Sequence, residues 1–512
     1  MFSRVLSGAF YGIDSYLVQV ETDVSQGLPC MEMIGCLSRE AGEAKQRIRV
    51  ALKNNGVRLP ASRITINLSP ADRHKDGTAF DLPAAVGLLV SMGEVMPEQT
   101  AGILFLGELG LNGEIKPVRG VLPILRRASA AGIKRCIVPL ENGTEAAAAG
   151  IACVYGASKL SQVICALKEG MEKAGLSLLQ RKEEESFYIE ETDDFADIAG
   201  QESAKRAAEL AAAGFHHILL IGPPGSGKTM LAKRLSTILP PLTEEERYEV
   251  SEIYSVCGRL EKGRLLSHRP FLAPHHTATG AALSGGGRIP MPGAVSLAHR
   301  GVLFLDELTE FRREVLDVLR QPLEEKRVRI ARASGVVTYP ADFILVGAMN
   351  PCPCGYYPDE NKCSCRETQV RRYLGRVSGP FLDRMDLCCE VLRPDAGLLG
   401  REQMGETSAA IRERVLLARE IQEKRFRGSR IRFNGEMGIA EIKKFCRLDA
   451  EGMRQLEAAA TAFSMSARSY HKTLRIARTI ADLEGSGEIK SAHINEAIYY
   501  RIQSGKYWEG RA

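Results

Sequence analysis

Eight consecutive residues, Gly222-Pro223-Pro224-Gly225-Ser226-Gly227-Lys228-Thr229, set glycine, lysine and a hydroxyl at the spacing G-x-x-x-x-G-K-[ST]. Glycines here let backbone N–H groups converge on an anion, and the start of the following helix adds its positive end. The lysine bridges β- and γ-phosphates, and the hydroxyl ligates Mg²⁺. The motif lies between the apolar run HHILLI and the helical stretch MLAKRLSTIL, the strand–loop–helix setting that this chemistry requires. It implies ATP, held with Mg²⁺ around Lys228 and Thr229.

Farther along, Gly301-Val302-Leu303-Phe304-Leu305-Asp306-Glu307 reads as a buried strand ending in two carboxylates. Ligands of open α/β sheets sit beyond the carboxyl ends of the strands, so Asp306 reaches magnesium, directly or through a water. Glu307 is then placed to polarise an attacking water as general base. A third apolar run, Phe343-Ile344-Leu345-Val346-Gly347-Ala348-Met349, ends at Asn350. Its amide either hydrogen-bonds the γ-phosphate or the water, or caps the turn before Pro351. With Lys228, these residues predict hydrolysis and not binding alone.

Directly after Asn350, Cys352, Cys354, Cys363 and Cys365 form C-x-C-x8-C-x-C. Four soft thiolates suit a structural, tetrahedral Zn²⁺. The C-x-C spacing is tighter than the common C-x2-C, and a reduced turn with free thiols is the alternative. Two other stretches suit a polyanion. Glu325-Lys326-Arg327-Val328-Arg329-Ile330-Ala331-Arg332-Ala333 alternates with period two, predicting a β-hairpin whose cationic face carries Arg327, Arg329 and Arg332. Leu283-Ser284-Gly285-Gly286-Gly287-Arg288 predicts a flexible loop whose bare backbone approaches phosphates closely. A solvated strand and a mobile loop are the plainer alternative. Residues 412–432 carry Arg414, Arg419, Lys424, Arg425, Arg427 and Arg430 with Glu413, Glu420 and Glu423 interleaved, which predicts a salt-bridged helix face. Aromatic residues are few nearby, so DNA would be met through its phosphates, without sequence preference and with steep salt dependence.

The elements that must position these groups follow from periodicity. Residues 1–170 alternate β-rich runs (SRITINLSP, IKRCIVPL) with helical ones (DLPAAVGLLVSM, VLPILRRASAAG), predicting a compact α+β domain. Residues 171–194 lose apolar periodicity and become charge-dense, as a linker does. Residues 195–399 interleave helices with HHILLIG, GVLFLDE, DFILVGAMN and DLCCEVL, runs apolar on both faces as central parallel strands must be. The fold class is therefore α/β, a doubly wound P-loop core. Residues 400–512 show apolar residues at three- and four-residue spacing, predicting a helical lid.

Bulk properties narrow the class. At 512 residues the chain exceeds a single core. Hydrophobic residues at 45% and charged residues at 26% exclude a disordered or membrane-embedded chain. No apolar run approaches the roughly 20 residues that span a bilayer, and Asp14 falls where a signal peptide needs an apolar core. Thirteen cysteines, mostly scattered singly, suit thiols in a reducing compartment. The expected location is the cytoplasm. A net charge of +5 permits a polyanionic partner without requiring one.

The chain resembles the magnesium-chelatase-like AAA+ ATPases, specifically the group containing the ComM (YifB) proteins. GPPGSGKT, APHHTATGAALSGGG, HRGVLFLDEL, GAMNPCPCGYY, SGPFLDRMDL and SARSYHKTLRIARTIADL carry the resemblance over essentially its whole length. It implies a homo-hexameric helicase that drives branch migration of recombination intermediates during uptake of foreign DNA. It implies that Arg384 is an arginine finger reaching a neighbouring subunit's nucleotide, that Arg475 is the lid's sensor-2 arginine, that Asn350 is sensor 1, and that the hairpin points into the ring channel. Residues 64–145 resemble the proteolytic domain of Lon-type proteases, a ribosomal S5 domain 2-like fold. Ala79 stands where the nucleophilic serine belongs and Leu122 where its lysine belongs, so a non-proteolytic domain for assembly or DNA handling is expected. The alternatives are a chelatase ATPase subunit that drives metal insertion, and an ATP-dependent protease.

Overall fold

A computed structural model of the chain describes residues 1–180, 193–332, 335–359, 361–393, 405–502 and 505–508. The N-terminal part is built on an eight-stranded mixed sheet. Its spatial order is Ser177–Leu179, Cys153–Ala157, Arg135–Pro139, Ile103–Phe105, Phe2–Tyr11, Asp14–Ser25, Arg63–Ser69 and Cys30–Ile34. Strict alternation along Arg63–Ser69 turns Ile64, Ile66 and Leu68 into the core, where they are at most 3% exposed. Strand Ser177–Leu179 pairs antiparallel with Cys153–Ala157, so the sheet reaches past the boundary expected at 170. Residues 181–192, most of the expected linker, and the boundary expected at 399–400 lie outside the described residues.

The second sheet has five strands, in the order Phe271–Leu272, Val302–Leu305, Ile344–Met349, Ile218–Ile221 and Leu387–Glu390, all parallel. Every residue of Ile218–Ile221, Val302–Leu305 and Ile344–Met349 is buried, because helices cover both faces and each strand packs on two sides. Burying one such side chain contributes about 2 kcal/mol.

The C-terminal lid is helical. Thr407 and Ser466 cap its helices Ser408–Arg425 and Ala467–Leu483 through their side-chain oxygens, each cap contributing about 1 kcal/mol. The interleaved salt-bridge face expected on 412–432 is corrected. The helix ends at Arg425, and its arginines pair with other elements: Arg414 with Glu209 (2.6 Å), Arg425 with the fully buried Asp482 (2.5 Å), and Arg419 over the Phe433 ring (3.7 Å). Tertiary partners override local spacing here because the helix is wedged between core and lid. Among the described residues no helix is long and apolar enough to cross a membrane.

Lid and core meet at the amino edge of the parallel sheet. Lys472 pairs with Asp386 (2.8 Å), His216 Nε2 lies 2.9 Å from Thr479 Oγ1, and His217 N donates to Asp386 Oδ2 (2.9 Å). Burial alone would raise the Asp386 carboxyl, but Lys472, His216 and His217 hold it well below the usual range. Burial pushes His217 down to about 4. The neutral ring fits its bonding, since Nδ1 accepts from Leu345 N–H (3.1 Å).

Helix Val121–Ala130 of the N-terminal part packs against helix Glu244–Cys257 of the parallel-sheet part. Arg126 pairs with Glu252 (2.7 Å) and lies over the Tyr248 ring (4.3 Å), Tyr248 Oη donates to the Ala148 carbonyl (2.9 Å), and Gly120 N donates to the Ser255 carbonyl (3.1 Å). Buried Glu145 accepts from both Leu122 N and Ser255 Oγ.

Candidate active site

Three neighbouring parallel strands deliver the phosphate machinery to one edge. Ile218–Ile221 runs into the loop 222–227, Val302–Leu305 into Asp306, and Ile344–Met349 into Asn350. Gly227 opens helix Lys228–Ile238 at φ 88°, a left-handed conformation that a side chain disfavours, and this turns successive N–H groups toward one point. Lys228 Nζ donates to the carbonyls of Gly222 (2.8 Å) and Pro223 (2.9 Å) and to Asn350 Oδ1 (3.1 Å). Thr229 Oγ1 donates to Asp306 Oδ2 (2.7 Å). Ser226 Oγ is buried without a protein partner. The expected residues Gly222, Pro223, Pro224, Gly225, Ser226, Gly227, Lys228, Thr229, Asp306 and Asn350 thus come together.

Glu307 lies at this edge with its side chain 60% exposed, its backbone in the left-handed region (φ 49°). That conformation costs a non-glycine residue about 1 kcal/mol, and it is closed by a hydrogen bond from Glu310 N to the Glu307 carbonyl (2.7 Å). His276, in the segment following strand Phe271–Leu272, sets Nδ1 3.0 Å from Glu307 Oε2. Sequence reasoning gave His276 no role. The signal was a histidine pair a few residues beyond the edge strand beside Val302–Leu305.

Desolvation lowers the Lys228 ammonium to about 8, with Asp306 acting in the opposite direction. A bound triphosphate requires the charged form, so above pH 8 binding must take up a proton. The KM for ATP should be flat below pH 7 and rise roughly five- to tenfold between pH 8 and 9, measured in steady-state assays.

Arg384 and Arg475 are elsewhere. Arg384 precedes strand Leu387–Glu390 and so sits at the amino edge, opposite the phosphate loop; it pairs with Glu324 (2.7 Å), which also binds Arg468 (3.0 Å). Arg475 lies on helix Ala467–Leu483 between Lys472 and Thr479, the two residues that meet that same edge, and donates to the Gly435 carbonyl (3.2 Å). Neither arginine joins the Lys228 cluster of its own chain.

The two cationic elements do meet, but residues 283–288 are not the flexible loop expected: a short helix Gly280–Ser284 and strand Gly285–Gly286, paired with Met291–Pro292, hold them, and Leu283 and Gly285 are buried. Strands Arg327–Arg332 and Gly335–Pro340 pair as an antiparallel hairpin with Val328 and Ile330 buried and Arg327, Arg329 and Arg332 exposed. Arg332 Nε donates to the Gly287 carbonyl (3.3 Å), beside exposed Arg288. Arg327 pairs with Glu325 (3.3 Å). The hairpin also touches the N-terminal part, where Tyr11 and Gly12 pack on Gly335 and Val337. A cavity of about 290 Å³ at this joint is lined by Tyr11, His74, Arg288 and Tyr339.

The four cysteines gather, with Sγ–Sγ separations of 3.3 Å (Cys352–Cys354), 3.5 Å (Cys354–Cys363) and 3.8 Å (Cys352–Cys363), and all four ligand atoms within 4.8 Å of one another. A tetrahedral site with metal–sulfur bonds of about 2.3 Å has edges of about 3.8 Å, so the set can hold a metal ion. In the N-terminal part, Leu122 is fully buried and Ala79 packs against the same apolar cluster. The two positions at which a serine–lysine dyad was sought are thus part of a hydrophobic core.

The comparisons agree with this geometry. The description "Magnesium chelatase, subunit ChlI" matches residues 194–397, "Subunit ChlI of Mg-chelatase" matches 20–142, and "Magnesium chelatase, subunit ChlI C-terminal" matches 405–501. The chain is 42% identical over 499 residues to the competence protein ComM of Haemophilus influenzae, covering 97% of each. It is 40% identical over 501 residues to the protein YifB of Escherichia coli, covering 98% of this chain and 97% of that protein. Lon protease 2 of Bacillus subtilis is 29% identical over 210 residues, 35% of this chain and 36% of the protease. A P-loop parallel sheet, a helical lid and a Lon-like partial similarity, with near full-length identity to these two proteins, place the chain in the ComM/YifB family of magnesium-chelatase-like AAA+ proteins.

Proposed function

We propose that the chain hydrolyses ATP as a homo-hexameric, cytoplasmic DNA motor that promotes branch migration in recombination, the kind of task natural transformation requires. The observation that carries this reading is a cluster of Lys228, Thr229, Asp306 and Asn350 at one sheet edge, combined with two cationic elements, the hairpin that precedes strand Ile344–Met349 and the segment around Arg288, that touch at Arg332 and Gly287. Donors from Lys228, Ser226 and the loop amides suit a triphosphate, and Thr229 with Asp306 suits its Mg²⁺, which when bound neutralises phosphate charge. Asn350 hydrogen-bonds the γ-phosphate. Glu307 orients a water for attack on the γ-phosphorus. As the new P–O bond forms, the bond to the bridging oxygen breaks, that oxygen leaves with ADP, and the water's proton passes to a Glu307 carboxylate oxygen.

Arg384 and Arg475 lie on the edge opposite their own phosphate loop, which favours action on a neighbour's nucleotide in a ring. Arg288, Arg327, Arg329 and Arg332 grip DNA phosphates. Cys352, Cys354, Cys363 and Cys365, whose sulfur spacing suits a thiolate tetrahedron, would hold a structural Zn²⁺.

A chelatase ATPase subunit is the second reading, favoured by the family descriptions matched across all three parts. Single-stranded DNA separates the two. The motor reading expects severalfold stimulation of ATPase rate and migration of a synthetic Holliday junction, both lost when Arg327, Arg329 and Arg332 become alanine. An ATPase indifferent to DNA would overturn it.

A further inference from the structure

The phosphate loop is flanked by the two strands that neighbour its own. On one side Ile344–Met349 leads through Asn350 into the cysteine knuckle; on the other Leu387–Glu390 continues to Val391, whose N–H donates to the Ile221 carbonyl (2.7 Å), and then to Arg393. Arg393 joins the two flanks across the loop. Its Nη2 and Nε donate to the Pro224 carbonyl (3.0 and 3.2 Å), Nη2 also donates to Tyr356 Oη (2.9 Å), and the guanidinium lies 5.2 Å from the Tyr356 ring centre. From below, Gly355 is pressed against Pro224 so closely that an added Cβ would stand 2.4 Å from Pro224 Cδ. Gly355 and Tyr356 belong to the knuckle itself, between Cys354 and Cys363, and Tyr357 N donates to Cys352 Sγ (3.4 Å).

We propose that Arg393 is a positioning residue that clamps the phosphate loop to the cysteine knuckle, so that metal occupancy of the knuckle sets how tightly the chain holds ATP. The proposal rests on the metal reading above and extends it to the nucleotide. The loop's amides converge on phosphate only while its backbone is held, and a loop free to wander must be ordered on binding at a cost in affinity. Pro224 has no N–H and no polar side chain, so its carbonyl is where the loop can be gripped, and a guanidinium is suited to grip it while also reaching a phenol. With its four ligands bound, the knuckle offers Tyr356 and Gly355 at fixed positions. Without metal the four sulfurs are no longer tied to one centre, so the turn is free to open and the clamp loses its anchor.

The chain supplies its own reporter. Its one tryptophan, Trp508, stands ring to ring with Tyr507 (6.1 Å between centres), and Tyr507 in turn meets the knuckle residue Tyr357 (6.4 Å). Tryptophan fluorescence therefore follows the state of the knuckle separately from turnover.

The experiment uses full-length wild type, Arg393→Ala and Arg393→Lys, each as purified and after chelator treatment, with zinc content, tryptophan emission, ATP KM and kcat measured together. Arg393→Ala should keep the wild-type zinc content and emission, raise KM about tenfold and leave kcat within about twofold, with Arg393→Lys recovering part of the affinity. Stripping zinc from the wild type should shift the emission and raise KM by a similar factor, and stripping Arg393→Ala should add less than about twofold, because both changes act through one contact. An unchanged KM in Arg393→Ala sinks the clamp. Multiplying effects of the two treatments sink the link between knuckle and clamp. A chain that carries no zinc and ignores the chelator refutes the metal reading, with the clamp still judged by the Arg393 variants.

Discussion

Glu307→Gln should bind ATP as tightly as the native chain and lose hydrolysis by about three orders of magnitude, the usual share of a positioned general base. Glutamine keeps the shape and the exposed setting of the side chain, and it keeps a polar atom for His276, so the left-handed turn at φ 49° survives. What disappears is the capacity to take a proton from water. On the proposed reading phosphate and metal are held by Lys228, Thr229 and Asp306 without reference to residue 307, so equilibrium binding of labelled ATP should be unaltered. Single-turnover hydrolysis by the same preparation reads the chemical step. Turnover at the native rate would move the base elsewhere.

Arg384→Ala should abolish turnover by about three orders of magnitude or more while sparing nucleotide affinity. The argument is topological. The phosphate loop follows the carboxyl end of Ile218–Ile221, whereas Arg384 precedes the amino end of the parallel neighbour Leu387–Glu390, so the thickness of the sheet separates them within one chain. Within its chain Arg384 is held by Glu324, a carboxylate 45% exposed that also binds Arg468; the arginine itself is only 11% exposed, so reaching a neighbour's phosphate requires its side chain to leave that pair and swing outward. Mixing tests the geometry directly. Arg384→Ala subunits retain an intact phosphate loop, Lys228→Ala subunits retain the arginine, and neither alone should hydrolyse ATP. Their mixture should recover a measurable fraction of native activity. A mixture as inactive as its components would disprove action across a subunit interface.

Much of the core was legible because its determinants are local. A strand covered on both faces must be apolar throughout, and Ile218–Ile221, Val302–Leu305 and Ile344–Met349 are. The glycine–lysine–threonine spacing fixes a loop conformation by itself, and carboxylates placed after a buried strand must emerge at its carboxyl edge. The hairpin 327–340 announced itself by period-two alternation.

What escaped depends on contacts between segments far apart in the chain. Nothing local to Arg475 says that its helix meets the amino edge of the sheet through Lys472–Asp386 and Thr479–His216. The arginines of helix Ser408–Arg425 had acidic neighbours at suitable spacing, yet buried Asp482 and Glu209 won them, because a desolvated carboxylate needs a cation more than a solvated one does. The C-x-C-x8-C-x-C spacing showed a four-thiol cluster but not that, between its halves, Gly355 lies against Pro224 of the phosphate loop and Tyr356 meets Arg393. His276 was equally invisible, since its meaning depends on which strand borders Val302–Leu305.

The N-terminal face that carries Leu122 serves as a bearing surface against the parallel-sheet part. Helix Val121–Ala130 is bolted to the ATPase helix Glu244–Cys257 by Arg126, Tyr248 and Glu145, while Tyr11 and Gly12 brace the cationic hairpin at its far end. If the chain is the motor proposed above, two such footholds make the N-terminal part an abutment: a pull on the hairpin would find a counterforce inside the same subunit and would not be dissipated in bending the strands that carry it. On that proposal, a core severed from the abutment should keep its ATPase rate and lose its grip on DNA.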